Sequence, residues 1–156
     1  MTKKVIISDT NIIIYLGVGE AFEKFCIEFE VCITEDVAEE INNGRAAKTE
    51  AKDIFYKQYQ QGKVTIVHLT EAQKELRDEL MQRKTKIGKG ESSSIAVVYD
   101  ESSYIFATND IRAIDVANDL LGPGQVVCCE DILEVMVKKK LLSKAELEMV
   151  RGMMDG

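Results

Sequence analysis

Four acidic residues define the chemistry open to this chain: Asp9, Glu40, Glu91 and Asp110. Asp9 closes an apolar run, Val5-Ile6-Ile7-Ser8, and Asp110 follows another, Tyr104-Ile105-Phe106-Ala107-Thr108-Asn109. Glu40 and Glu91 sit in segments with helical patterning. Open parallel sheets place ligands in the crevice beyond the carboxyl ends of their strands, so acids just past two strands can meet there. Four carboxylates in one crevice repel each other unless divalent cations neutralise them. Such all-oxygen ligands suit a hard metal, Mg²⁺ or Mn²⁺.

The elements that must position them follow from hydrophobic period. Lys4 to Ser8, Val31 to Thr34, Val64 to Leu69, Tyr104 to Thr108 and Gln125 to Cys129 read as short buried strands. Helical patterns fill the intervals. Ala21 to Phe29 is apolar at Phe22, Phe25, Cys26 and Phe29, and Ala46 to Tyr59 at Ala47, Ala51, Ile54, Phe55 and Tyr59. Thr70 with Gln73, and Ser143 with Glu146, form capping boxes, the second opening a helix of about ten residues that closes the chain. Ile95, Ala96, Val98 and Tyr99 mark another helix; Ile111, Ile114, Ala117 and Leu121 mark one more. Asn42-Asn43-Gly44 is a helix stop, Ile87-Gly88-Lys89-Gly90 a flexible approach and Gly122-Pro123-Gly124 a tight turn. The alternation predicts a mostly parallel sheet with right-handed crossovers and helices on both faces.

Each motif also has a structural reading. Asp9-Thr10-Asn11 and Thr108-Asn109-Asp110 can simply cap the helices that follow them. Thr34 is a natural N-cap, and Glu35 and Asp36 after it complement the helix dipole. Glu39 and Glu40 come too late in that helix for the dipole to explain them, and spacing does not choose between them. Glu91 gains from the dipole of its own helix, yet Gly88 and Gly90 before it permit close approach of another element.

The chain has 156 residues, sized for one domain with a substantial core, and a formal net charge of −7. That charge opposes a generic nucleic-acid surface, although the four candidate ligands supply −4 of it. Arg83, Lys84, Lys86 and Lys89 cluster just before Glu91 and can serve phosphate; Lys138-Lys139-Lys140 reads as a solvated helix end. Cys26, Cys32, Cys128 and Cys129 form no C-x-x-C motif, and Cys128 and Cys129 are expected on opposite faces of a strand as small apolar residues. His68 reads as a capping or packing residue. No signal peptide and no membrane-length apolar run is read, so a cytoplasmic protein is expected.

The joint order of the acids resembles the PIN-domain family of nucleases. The matching pieces are Ile6-Ile7-Ser8-Asp9-Thr10-Asn11, Ile33-Thr34 through Glu40-Ile41, Gly88-Lys89-Gly90-Glu91-Ser92-Ser93-Ser94-Ile95-Ala96, and Ala107-Thr108-Asn109-Asp110-Ile111-Arg112. The ending, Asp131-Ile132-Leu133-Glu134-Val135 with Lys138 to Leu142 after it, is similar to a bacterial and archaeal branch related to toxin-type members. The resemblance implies one PIN-like domain over residues 1–156, with a C-terminal helical extension at about 131–156. The expected fold is a three-layer α/β/α sandwich on a parallel sheet of four to five strands, the first central and beside the strand ending at Thr108.

It also selects Glu40 over Glu39 and implies Asp9, Glu40, Glu91 and Asp110 as both metal ligands and catalytic residues, with Mg²⁺ or Mn²⁺ as cofactor. Thr108, by bonding Asp9, and Asn11 are the expected supports. Arg83, Lys84, Lys86, Lys89 and Arg112 are the candidates for holding phosphate. The implied activity is hydrolysis of phosphodiester bonds in single-stranded RNA, leaving a 5′-phosphate and a 3′-hydroxyl. An antitoxin protein that blocks the site and a homodimer are the implied partners.

Two features depart from the branch. Asn109 stands where a second Asp often precedes the fourth ligand, and Ser92, Ser93 and Ser94 follow the third where small residues such as alanine are common. Asp115 is a candidate fifth carboxylate that a solvated helix face explains equally well. Two rival readings stay open: an inactive PIN-fold binding module, and a small phosphatase-like α/β protein. The second would need a second Asp beside Asp9 or an activating Lys after a late strand, and neither is evident.

Overall fold

Alternating side-chain direction sorts each apolar strand onto two covered faces. The computed structural model describes residues 3–43 and 50–155. β1 (Lys4–Ile7), β2 (Glu30–Thr34), β3 (Val64–Val67), β4 (Tyr104–Ala107) and β5 (Val126–Val127) form one parallel sheet in the order β3-β2-β1-β4-β5. Val5, Ile7, Val31 and Ile33 face one core; Ile6, Cys32 and Phe106 face the other. The first core is closed by α1 (Thr10–Leu16), α2 (Ala21–Glu28), α3 (Glu35–Asn43), α4 (Ala51–Gln60), α8 (Cys129–Lys138) and α9 (Lys144–Asp155). The second is closed by α5 (Glu71–Met81), α6 (Lys89–Asp100) and α7 (Ile111–Leu120).

Because the chain leaves β1 toward β2 and later returns to β4 on its other side, the strand order reverses at β1. Asp9 and Asp110 both emerge at that reversal. The three layers and the central first strand match the expectation. Among the described residues no helix is long and apolar enough to cross a membrane.

Several local expectations change. The helix expected from Ala46 begins at Ala51; Ala46, Ala47 and the Gly44 of the helix stop lie outside the described residues. The last strand is confined to Val126–Val127, because Cys128 becomes the N-cap of α8 and Cys129 its first residue. Asp131 accepts the Cys128 N–H at 2.9 Å and Asn109 Oδ1 accepts the Cys129 N–H at 2.8 Å. Capping satisfies donors that a longer strand would have left at the sheet edge. The two cysteines therefore do not alternate across a strand. Cys26, Cys32 and Cys129 are buried free thiols, and Cys128 is partly exposed.

Two side chains differ from their sequence reading. Lys139 is no freely solvated end: its Nζ lies 2.6 Å from Glu28 Oε1 and over the Phe29 ring. His68 is largely exposed, 3.6 Å from Glu35.

Candidate active site

Asp9 is the N-cap of α1, extended in backbone, and its Oδ1 accepts the Asn11 N–H at 2.9 Å. Its Oδ2 accepts the Asn109 N–H at 3.2 Å, tying β1 to the turn after β4. Asp110 caps α7, with Oδ1 accepting the Arg112 and Ala113 N–H groups at 2.9 and 3.4 Å. Both acids thus have the capping role that their types favour.

Glu40 reaches across from α3 to the first turn of α6, where its Oε1 accepts the Gly90 N–H at 3.1 Å. A first-turn N–H has no partner within its own helix, so the carboxylate fills a vacancy there and meets the positive end of the dipole. Gly90 makes this approach possible. A Cβ on it would lie 2.9 Å from both Glu40 carboxylate oxygens and from Val37 Cγ2. Glu39 is exposed. The choice between the two glutamates is therefore made by which face of α3 looks at α6.

Glu91, in the first turn of α6, completes the group. Its carboxyl is pushed from 4.5 up to about 7, first by burial, then by the charges of Asp110, Asp9 and Glu40, with Arg112 opposing. Burial is also the leading cause raising Asp9, with Asp110 adding to it, and the leading cause raising Glu40, with Asp36 and Glu39 adding to it. Glu91 Oε2 is buried without a hydrogen-bond partner. Four acids, from the β1–α1 junction, α3, α6 and the β4–α7 junction, thus surround one crevice at the strand reversal.

These residues suit a hard divalent cation by chemistry: the donors are carboxylate oxygens, and one buried oxygen lacks a partner. Their spacing is looser than a filled site requires. Among the described residues, no three of His, Cys, Asp and Glu are grouped to hold a metal ion. Mutual repulsion and the capping bonds give the physical reason. Asp9, Asp110 and Glu40 each turn an oxygen to a backbone N–H rather than to a common centre.

The supporting residues differ from expectation. The Thr108 hydroxyl does not bond Asp9; it accepts the Asp110 N–H at 3.1 Å, a local turn bond two residues long. Asp9 already has both oxygens engaged by backbone donors. Asn11 supports Asp9 through its backbone N–H. Asn109 emerges as the missed residue: its N–H holds Asp9 while its side chain caps α8. The adjacent carboxylate drew the sequence reading, and the amide's partner lies 20 residues on.

The serines after Glu91 are structural in part. Ser93 and Ser94 both donate to the Gly90 carbonyl at 2.8 Å, and Ser93 lies 2.6 Å from Thr34 Oγ1. Asp115 is exposed on α7. Of the basic residues, Lys89 and Arg112 act electrostatically on Glu40 and Glu91 respectively. Lys89 Nζ lies 3.7 Å from Asp36, and Arg112 Nε 3.9 Å from Asp110. Arg83 lies 3.6 Å from Glu79 on α5, while Lys84 and Lys86 are exposed on the α5–α6 connection.

Asp36 is a further element that the dipole reading undervalued. It is buried, and Arg77 of α5 donates to it at 2.9 Å. This pair ties α3 to α5 beside the crevice.

Comparison with known proteins gives the same frame. No curated protein matches the chain. The fold is similar to a chain in the crystal structure of VapBC2 from Rickettsia felis bound to a DNA fragment from their promoter. The TM-score is 0.51 at 16% identity, with 80% of this chain and 98% of that one covered. A family model described as DUF3368, PIN domain, matches residues 5–149. With nearly its whole length matched and its acids gathered at the strand reversal, this chain belongs to the PIN-domain family.

Proposed function

We propose that this protein is a metal-dependent endoribonuclease acting on single-stranded RNA, the toxin of a toxin–antitoxin pair. The carrying observation is the convergence of Glu91 with Asp110, Asp9 and Glu40 around a buried carboxylate oxygen that has no partner. PIN domains are generally metal-dependent nucleases, which gives this acidic crevice its chemistry.

Asp9, Glu40, Glu91 and Asp110 would hold Mg²⁺ or Mn²⁺. The bound cation supplies positive charge that offsets the carboxylates and polarises water and phosphodiester oxygen. Lys89 and Arg112 stand beside the acids and would draw a phosphate in. Arg83, Lys84 and Lys86 lie on the approach to Glu91 and would contact more distant phosphates. The Asn109 N–H holds Asp9 in place, and Gly90 leaves space for Glu40. Hydrolysis in this arrangement leaves a 5′-phosphate and a 3′-hydroxyl. The likeness to a chain of VapBC2 supports an antitoxin that covers the crevice, and the toxin-type resemblance supports a homodimer.

The test is cleavage of a fluorescent single-stranded RNA with Mn²⁺ or Mg²⁺, with EDTA, and with Asp9→Asn. Activity should require the metal and vanish in the variant. Equal rates for Asp9→Asn and wild type would refute the assignment. A second reading, a PIN-fold binding module without catalysis, is favoured by the loose spacing of the acids. RNA binding without cleavage in any metal would select it.

A further inference from the structure

A cavity of about 520 Å³ lies away from the acids, between α2, α8 and the sheet. Its floor is the apolar sheet face: Val5 and Ile105 are register partners, and Val127 continues the row from β5. Phe25 of α2 and its C-cap Phe29 form one wall and Val135 of α8 part of the other. The opening has a simple origin. β5 is two residues long, too short to carry α8 along the full length of β4, so sheet between the two helices is left uncovered.

Four charged groups surround the cavity: Lys3, Glu28, Asp131 and Lys139. Lys139 and Glu28 neutralise each other at 2.6 Å, and the Asp131 carboxylate is turned to the positive end of the α8 dipole, where it accepts from the Cys128 N–H at 2.9 Å and the Cys128 Sγ at 3.3 Å. The Lys3 carbonyl accepts the Glu30 N–H at 3.1 Å, but its ammonium has no hydrogen bond or ion pair among the described residues, and the residue is exposed. An apolar interior with one uncommitted ammonium at the rim is complementary to an amphipathic anion. Pockets of this size and lining hold small molecules, with a few polar groups setting orientation. We propose that this cavity binds a small apolar carboxylate, with its hydrocarbon body against Phe25, Phe29 and Val5 and its head group at Lys3. Val5 and Asp9 are four residues apart along extended chain, roughly 13 Å, so the ligand is separate from the acidic crevice.

The probes are decanoate, decanol and decylammonium, titrated below their micelle thresholds into the full chain while backbone amide NMR shifts are followed. Decanoate should bind saturably, with shifts at Val5, Phe29, Ile105 and Val135, and more tightly than either other head group. Lys3→Glu should weaken decanoate by about three- to tenfold, as expected for losing and reversing one exposed charge, and leave decanol unchanged. Val135→Trp, which places an indole in the cavity, should abolish binding of both. The variants are judged only with a native-like spectrum, and Lys3→Glu, at an exposed terminal position, keeps the test open should Val135→Trp not fold. The proposal is overturned by absence of saturable decanoate binding, by shifts confined to the acidic crevice, by tighter binding of decylammonium, or by indifference to Lys3→Glu.

Discussion

Replacing Glu91 with Gln removes a charge that the surrounding acids oppose, so it should stabilise the metal-free protein at neutral pH. The folded carboxyl titrates at about 7 against an ordinary 4.5. Fully expressed, that difference corresponds to roughly 3 kcal/mol against the ionised form. Glu91 is only partly buried, and solvent screening reduces the expected gain to about 1–2 kcal/mol. For a domain of this size the melting temperature should rise by roughly 3–6 °C.

The sign with pH is definite. A carboxyl raised on folding contributes its full stability below pH 4.5 and loses it as pH rises through about 7. Wild type and Glu91→Gln should therefore converge near pH 4.5 and separate across the window up to about 7. Metal should reverse the order. A cation at one hundred times its Kd adds about 2.7 kcal/mol to wild type, and Glu91→Gln, lacking one anionic ligand, should recover much less. The assay is urea or thermal unfolding at both pH extremes, in EDTA and in Mn²⁺. A variant less stable than wild type in EDTA at pH 7.5, or a gap unaffected by pH and metal, would refute the mutual repulsion of these acids.

Further outcomes follow from single contacts. Gly90→Ala should cost roughly 1–3 kcal/mol in unfolding free energy by overpacking against Glu40 and Val37, and should weaken Mn²⁺ binding in calorimetry. Asn109→Ala should cost about 1 kcal/mol by uncapping α8, whereas Asn109→Asp should keep the cap and bind Mn²⁺ more tightly through an added anionic oxygen. Arg77→Met should lower stability by about 3 kcal/mol because it leaves buried Asp36 without its guanidinium, and adding Asp36→Asn should recover part of the loss. Lys89→Ala with Arg112→Ala should flatten the salt dependence of single-stranded RNA binding by about 1.4 in log–log slope, measured in the Asp9→Asn background.

Much of the frame was written in local patterns. The Thr70–Gln73 and Ser143–Glu146 capping boxes form as read, because a cap closes hydrogen bonds within three residues. The alternation of Val5, Ile6 and Ile7 specified a strand covered on both faces, and β1 is central. Asp9 and Asp110, both helix caps past strand ends, could be placed from their neighbours alone. Glu40 could not: it and Glu39 are equivalent in the linear pattern, and only the packing of α3 on Gly90 separates them.

Tertiary structure also decided where polar groups with several available partners go. Thr108 turns to its own turn rather than to Asp9, and Asn109 joins the crevice to a helix that begins 20 residues later. The same competition shortened the last strand. Asn109 and Asp131 claim the N–H groups of Cys129 and Cys128, so this stretch begins a helix although its composition suits a strand. Lys139 likewise meets Glu28 across 111 positions, a pairing no local pattern could signal. Local hydrogen bonds and side-chain period are properties of adjacent residues and are legible in order. Which distant donor wins an acceptor depends on the packed geometry of helices and sheet, which exists only once the chain has folded.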